Sequence, residues 1–96
     1  MSLMKAPLHP GDVLKELYLE PLALSPIALS KQLHVPRTRI ERLVKGQTGV
    51  TADTAMRLAK FFGTTAEYWM KLQRAWDLAR ARETVDISDI TPLEAA

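Results

Sequence analysis

The stretch SPIALSKQLHVPRTRIERLVKG, Ser25 to Gly46, decides the fold. Ser25 is a good helix cap, and Pro26 suits a first helical position. Ile27, Leu29, Ser30 and Leu33 follow, and this helix is over by His34-Val35. Pro36 restarts the chain into a second helix that stops at Gly46, the residue type favoured just past a helix end. Two short helices joined by so tight a connection have helix-turn-helix geometry, in which the second helix can enter a DNA major groove. At about 100° per residue, Ile40, Leu43 and Val44 share one face of that second helix. Thr38, Arg42 and Lys45 lie opposite, flanked by Arg37, Glu41 and Arg39. One side is core, and the other is cationic and hydrogen-bonding.

Working outward, the punctuation yields five helical segments. The first opens at His9-Pro10-Gly11-Asp12, where proline is tolerated and Asp12 complements the positive helix end. Val13, Leu14, Leu17 and Tyr18 recur there at helical spacing, and Pro21 ends the segment. Thr51 caps the fourth helix, with Asp53 in its first turn and Gly63 as its stop. Thr65 caps the fifth, with Glu67 in its first turn and a stripe of Trp69, Leu72, Trp76 and Ala79. After Glu83 the pattern Thr84-Val85-Asp86-Ile87-Ser88 alternates with period two, which predicts a short extended tail. The fold class is all-α: five helices, with residues 9–83 as the domain, 1–8 as an N-terminal tail and 84–96 as the C-terminal tail. Met1-Ser2-Leu3 ahead of Met4 reads as a cloning remnant.

Ninety-six residues, of which 47% are hydrophobic and 25% charged, suffice for one packed domain. There is no cysteine, so neither disulfides nor a thiolate metal site can hold the fold. No apolar run approaches the ~18 residues of a membrane span, which leaves a cytoplasmic protein as the expectation. The net charge is only +2, but its placement is informative. Between Pro26 and Thr48 stand Lys31, Arg37, Arg39, Arg42 and Lys45 against the single acid Glu41, a local +4 that leaves −2 for the rest. Charge gathered into a patch is what phosphate binding requires.

The Ser25–Gly46 stretch resembles the lambda-repressor-like, or XRE, helix-turn-helix class. His9-Pro10-Gly11-Asp12-Val13-Leu14, Asp53-Thr54-Ala55-Met56-Arg57-Leu58-Ala59 and the segment Trp69 to Leu78 resemble the HigA/VapI-type antitoxins more specifically. The resemblance spans residues 9 to 80. It implies that Arg37, Thr38 and Arg42 face base edges, and that Ser25, Arg39, Lys45 and Gln47 sit near phosphates. It further implies a repressor of its own operon that neutralises an RNA-cleaving toxin, as in HigB/HigA pairs. Two positions depart from the class. Pro26 stands where glutamine is common, which removes that side chain's contact. His34 occupies a turn position where glycine is usual, which calls for a left-handed backbone that histidine tolerates better than bulkier residues.

Other chemistries find no footing. His9 and His34 lie in separate turns without ligand spacing, so no metal or cofactor is expected and both histidines read as structural or solvent-exposed. Ser25, Thr51 and Thr65 read as caps rather than nucleophiles, and no glycine-rich phosphate loop exists. No enzyme is expected. Trp69 and Trp76 read as core residues sooner than as partner anchors. Tyr68, Met70, Val85, Ile87, Ile90 and Leu93 are harder to bury together in so small a domain, so some of this surface should face a partner. A homodimer on a pseudo-palindromic operator, a cognate toxin, or both would use it. The alternatives are a stand-alone XRE-type regulator without a toxin and a protein-interaction module without DNA affinity.

Overall fold

A computed structural model describes residues 6–94 of the chain. The Met1-Ser2-Leu3 reading and the first part of the N-terminal tail lie outside the described residues. The first helix, α1, spans Pro10–Val13 and continues without a break as a π-helical segment, Leu14–Leu19. Then follow α2 (Pro26–Leu33), α3 (Arg37–Val44), α4 (Ala52–Phe62) and α5 (Ala66–Thr84). No strand forms among the described residues. The fold is the expected five-helix arrangement.

Four of the starts are set by a side chain that accepts from an otherwise orphaned backbone N–H, whereas α3 begins after Pro36 without one. Ser25 Oγ accepts from Ala28 N at 3.0 Å, Thr51 Oγ1 from Thr54 N at 3.3 Å and Thr65 Oγ1 from Tyr68 N at 3.1 Å. At α1 the cap is His9, whose buried Nδ1 accepts from Gly11 N at 2.9 Å. His9 also meets the Trp76 ring edge-on at 5.1 Å between centroids, so α5 holds the residue that starts α1. The stops are equally local. His34 closes α2 in the left-handed region, at φ 58° and ψ 46°, as the turn position demands. Val35 N then donates back to Ser30 O at 3.1 Å.

The π-helical segment overturns one expectation. Leu17 was placed on the apolar stripe of the first helix, yet it is 63% exposed. Backbone bonds there reach five residues instead of four, as in Glu20 N to Lys15 O at 2.9 Å, which slows the rotation of side chains around the axis. Leu19 therefore arrives in the core where α-helical spacing had put Leu17.

The core centres on Trp69, fully buried, with its Nε1 donating to Thr64 Oγ1 at 2.8 Å. Tyr18 and Tyr68 stand 5.2 and 5.1 Å from its ring centre. Leu14, Leu29, Ile40, Leu43 and Leu58 complete it from the other four helices. α2 packs on α3, α4 on α5, and α1 against α3 and α5. Gly11 sits where α1 crosses the end of α3: a Cβ added there would lie 1.8 Å from the Leu43 carbonyl oxygen. Beyond Trp69 the outer half of α5 carries no fully buried residue, and residues 85–94 lie exposed.

Candidate nucleic-acid interface

α3 is held from behind and open in front. Ile40 and Leu43 are buried, while Arg37, Thr38, Arg39 and Arg42 are all exposed. Thr38, Arg39 and Arg42 meet in one hollow of ≈ 350 Å³, whose far wall is Thr48, Gly49 and Thr51 at the entrance to α4. A helix N-terminus offers unpaired N–H groups and a positive dipole end, so this hollow combines cations with an anion-favouring backbone. Arg37, Lys45 and Gln47 are exposed outside it, at the two ends of α3. Ser25 stands apart, beside a second hollow that runs from Lys15 to Val44, with its Oγ already occupied as the α2 cap.

Not every cation on this face is unengaged. Arg37 lies 3.9 Å from Glu41, a mostly exposed pair one turn apart on α3. Arg39 Nη1 donates to Asp53 Oδ2, and Arg57 Nε donates to the same oxygen at 3.0 Å. Arg57 and then Arg39 hold the Asp53 carboxyl below the usual carboxylate range. Arg57 also donates from Nη1 to the carbonyl of Leu33 at 2.8 Å. This network ties α3, the start of α4 and the end of α2 together on the cationic face. The sequence showed Asp53 only as a first-turn acid. Its pairing with Arg57 four residues on was legible, whereas Arg39 lies fourteen residues away with no periodicity to betray it.

The loop after α3 has a second support that sequence reasoning missed. Gln73 Oε1, from α5, accepts from Val50 N at 2.7 Å, and Gln73 Nε2 donates to Asp77 at 2.9 Å. Gly49 leaves room for it, since a Cβ there would lie 2.7 Å from Gln73 Oε1.

Of the expected partner surface, Val85 and Ile87 are 57% and 65% exposed. Tyr68 and Met70 are only half-exposed and pack against the core. Tyr68 OH lies 3.4 Å from Tyr18 OH, and burial, aided by that hydrogen bond, pushes its pKa up to about 12. Among the described residues no group of His, Cys, Asp or Glu could hold a metal ion, and no helix is long and apolar enough to cross a membrane.

A buried-backed helix with a cationic, hydrogen-bonding front, set on a left-handed turn after a capped partner helix, defines a helix-turn-helix DNA-binding domain. Residues 14–69 match the helix-turn-helix family HTH_3, and the chain belongs to that family, within its XRE type. Over 87 residues it is 47% identical to virulence-associated protein I of Dichelobacter nodosus, covering 90% of this chain and 81% of that one. A solved HigA-family addiction-module antidote protein from Coxiella burnetii is 39% identical, with a TM-score of 0.86 over 93% of this chain and 100% of that one. The Pseudomonas aeruginosa antitoxin HigA, solved with the higBA promoter, is 35% identical at a TM-score of 0.83, covering 92% and 99%. The chain is thus an XRE-type helix-turn-helix DNA-binding protein related to HigA antitoxins.

Proposed function

We propose that this protein is an antitoxin-type repressor that binds a pseudo-palindromic operator in its own promoter as a homodimer and neutralises an RNA-cleaving toxin in the cytoplasm. The exposed face of α3 carries the DNA-binding part of this reading. Arg37, Thr38 and Arg42 read base edges, and Ser25, Arg39, Lys45 and Gln47 meet phosphates, within a domain of residues 9–83. The relative solved on its promoter supports the operator. The toxin rests on kinship with antitoxins alone.

Arg42 points away from Ile40 and Leu43 into the open hollow, and its forked guanidinium suits the O6 and N7 of guanine. Arg42→Ala should cost about 1–3 kcal/mol on the operator and relax preference at one base pair of each half-site. Lys45→Ala, at the helix end, should weaken operator and scrambled duplex alike and reduce the salt slope by about one. Equal weakening of both duplexes by Arg42→Ala would show that α3 is wrongly oriented. For the toxin, the test is co-purification with the product of the neighbouring gene and relief of the growth arrest that gene causes. A harmless neighbour that does not bind leaves a stand-alone regulator.

A further inference from the structure

We propose that the groove between the end of α2 and the length of α4 receives the C-terminal tail, residues 85–94, of a second copy of this chain. The inference rests on the homodimer proposed above and supplies the surface that makes it.

The groove measures ≈ 760 Å³, and Leu33, Met56 and Phe61 line it with Arg57 and Lys60. Met56 is 65% exposed and Phe61 40%, an apolar surface that no element among the described residues covers. It adjoins the DNA face through Asp53, which lines the groove and pairs with Arg39, and Met56 and Lys60 carry it one and two turns further along α4.

The tail has the complementary chemistry. From Glu83 to Glu94 it carries four acids and no base. Between those acids Val85, Ile87, Ile90 and Leu93 are all exposed, Leu93 at 96%. Asp86 Oδ1 accepts from Ser88 N at 2.9 Å, and Ile90 N donates to Ile87 O at 3.0 Å. These bonds fold residues 86–90 into a turn with Ile87 and Ile90 at its two ends, a short apolar hook flanked by carboxylates. Its shape suits the apolar floor of Leu33, Met56 and Phe61, and its carboxylates suit Lys60, the cation at the groove's edge beyond the Asp53–Arg57 pair.

A second copy fits better than the chain's own groove. After Trp69, the last fully buried residue, α5 runs fifteen residues to Thr84. At a rise of ~1.5 Å each, that carries the tail roughly 22 Å beyond the core. A two-fold axis then makes the union reciprocal, each tail seated in the other's groove.

Because the chain has no cysteine, the contact can be tested with single thiols. Met56→Cys and Ile90→Cys chains, mixed without DNA and treated with a short bis-maleimide, should give a linked dimer that neither chain gives alone. No dimer from the mixture overturns the proposal. So does an intrachain link in the double variant at high dilution, which would seat the tail in its own groove. Independently, Met56→Glu and the pair Ile87→Glu/Ile90→Glu should each weaken self-association about tenfold or more in sedimentation. Their helical circular dichroism should match the parent's, since all three residues are exposed, while unchanged association refutes the proposal. Failure here is distinguishable from failure of the operator reading, because base preference at Arg42 is measured on DNA and the cross-link is not.

Discussion

Gly11→Ala sets two effects of opposite sign against each other. Inside a helix, alanine in place of glycine gains about 1 kcal/mol. At Gly11, however, the new Cβ would fall 1.8 Å from the carbonyl oxygen of Leu43, against a practical minimum of 3.0 Å. α1 and α3 must separate by roughly 1.2 Å. The oxygen cannot swing aside, because it belongs to the α3 backbone and accepts from Gly46 N at 3.0 Å. Opening that crossing loosens Val13, Leu14 and Leu43, all of them core residues. Overpacking usually costs 1–3 kcal/mol and more where the obstacle is rigid, so a net loss of about 3 kcal/mol is expected once the propensity gain is subtracted. For a domain this size that lowers the melting temperature by roughly 12–24 °C. Thermal unfolding followed by circular dichroism, with urea midpoints for the same pair of proteins, measures it. A melting temperature that is unchanged, or raised by a few degrees, would mean that α1 does not press on α3 at this point.

Asp53→Asn should release Arg39 and Arg57 from their shared carboxylate, tightening binding to non-specific duplex and steepening its salt slope by about one. Titrations at several salt concentrations check this, and an unchanged slope would mean that neither arginine reaches phosphate. Tyr68→Phe addresses alkaline stability. The folded pKa of Tyr68 is raised from 10.0 to about 12, so its contribution is whole below pH 10.0 and lost as the pH climbs toward 12. Denaturant midpoints across that window should fall less steeply in Tyr68→Phe than in the parent protein, and parallel curves would remove Tyr68 as the cause.

What the sequence revealed was the local grammar. Caps at Ser25, Thr51 and Thr65, the left-handed His34 and the inward face of α3 each follow from a residue and its near neighbours. What stayed hidden depends on through-space partners or a change of helical pitch. Leu17 and Leu19 exchange places because the backbone adopts five-residue bonds, and nothing in their spacing announces that. Gly11 looks like a turn residue until α3 is seen pressing on it. His9 was legible as structural, but its role as the α1 cap needs the Trp76 ring behind it. The cationic patch was legible as a count, whereas the pairing of Arg39 with Asp53 required α3 and α4 to be docked.

Gln73 has a consequence for how such a chain can diverge. The loop that leaves α3 hangs, through Val50, from one amide on α5, and that amide is steadied by Asp77 a turn later. The outer helix and the loop beside the DNA-binding face therefore share a hinge pin. A lineage that re-cuts α5 to suit a new partner also resets the height of that loop unless Gln73 keeps its place. Gly49 is bound into the same constraint, because any side chain there would unseat the amide. Gln73 and Gly49 are then two positions whose changes are felt at each other, and through Val50 at the loop beside α3.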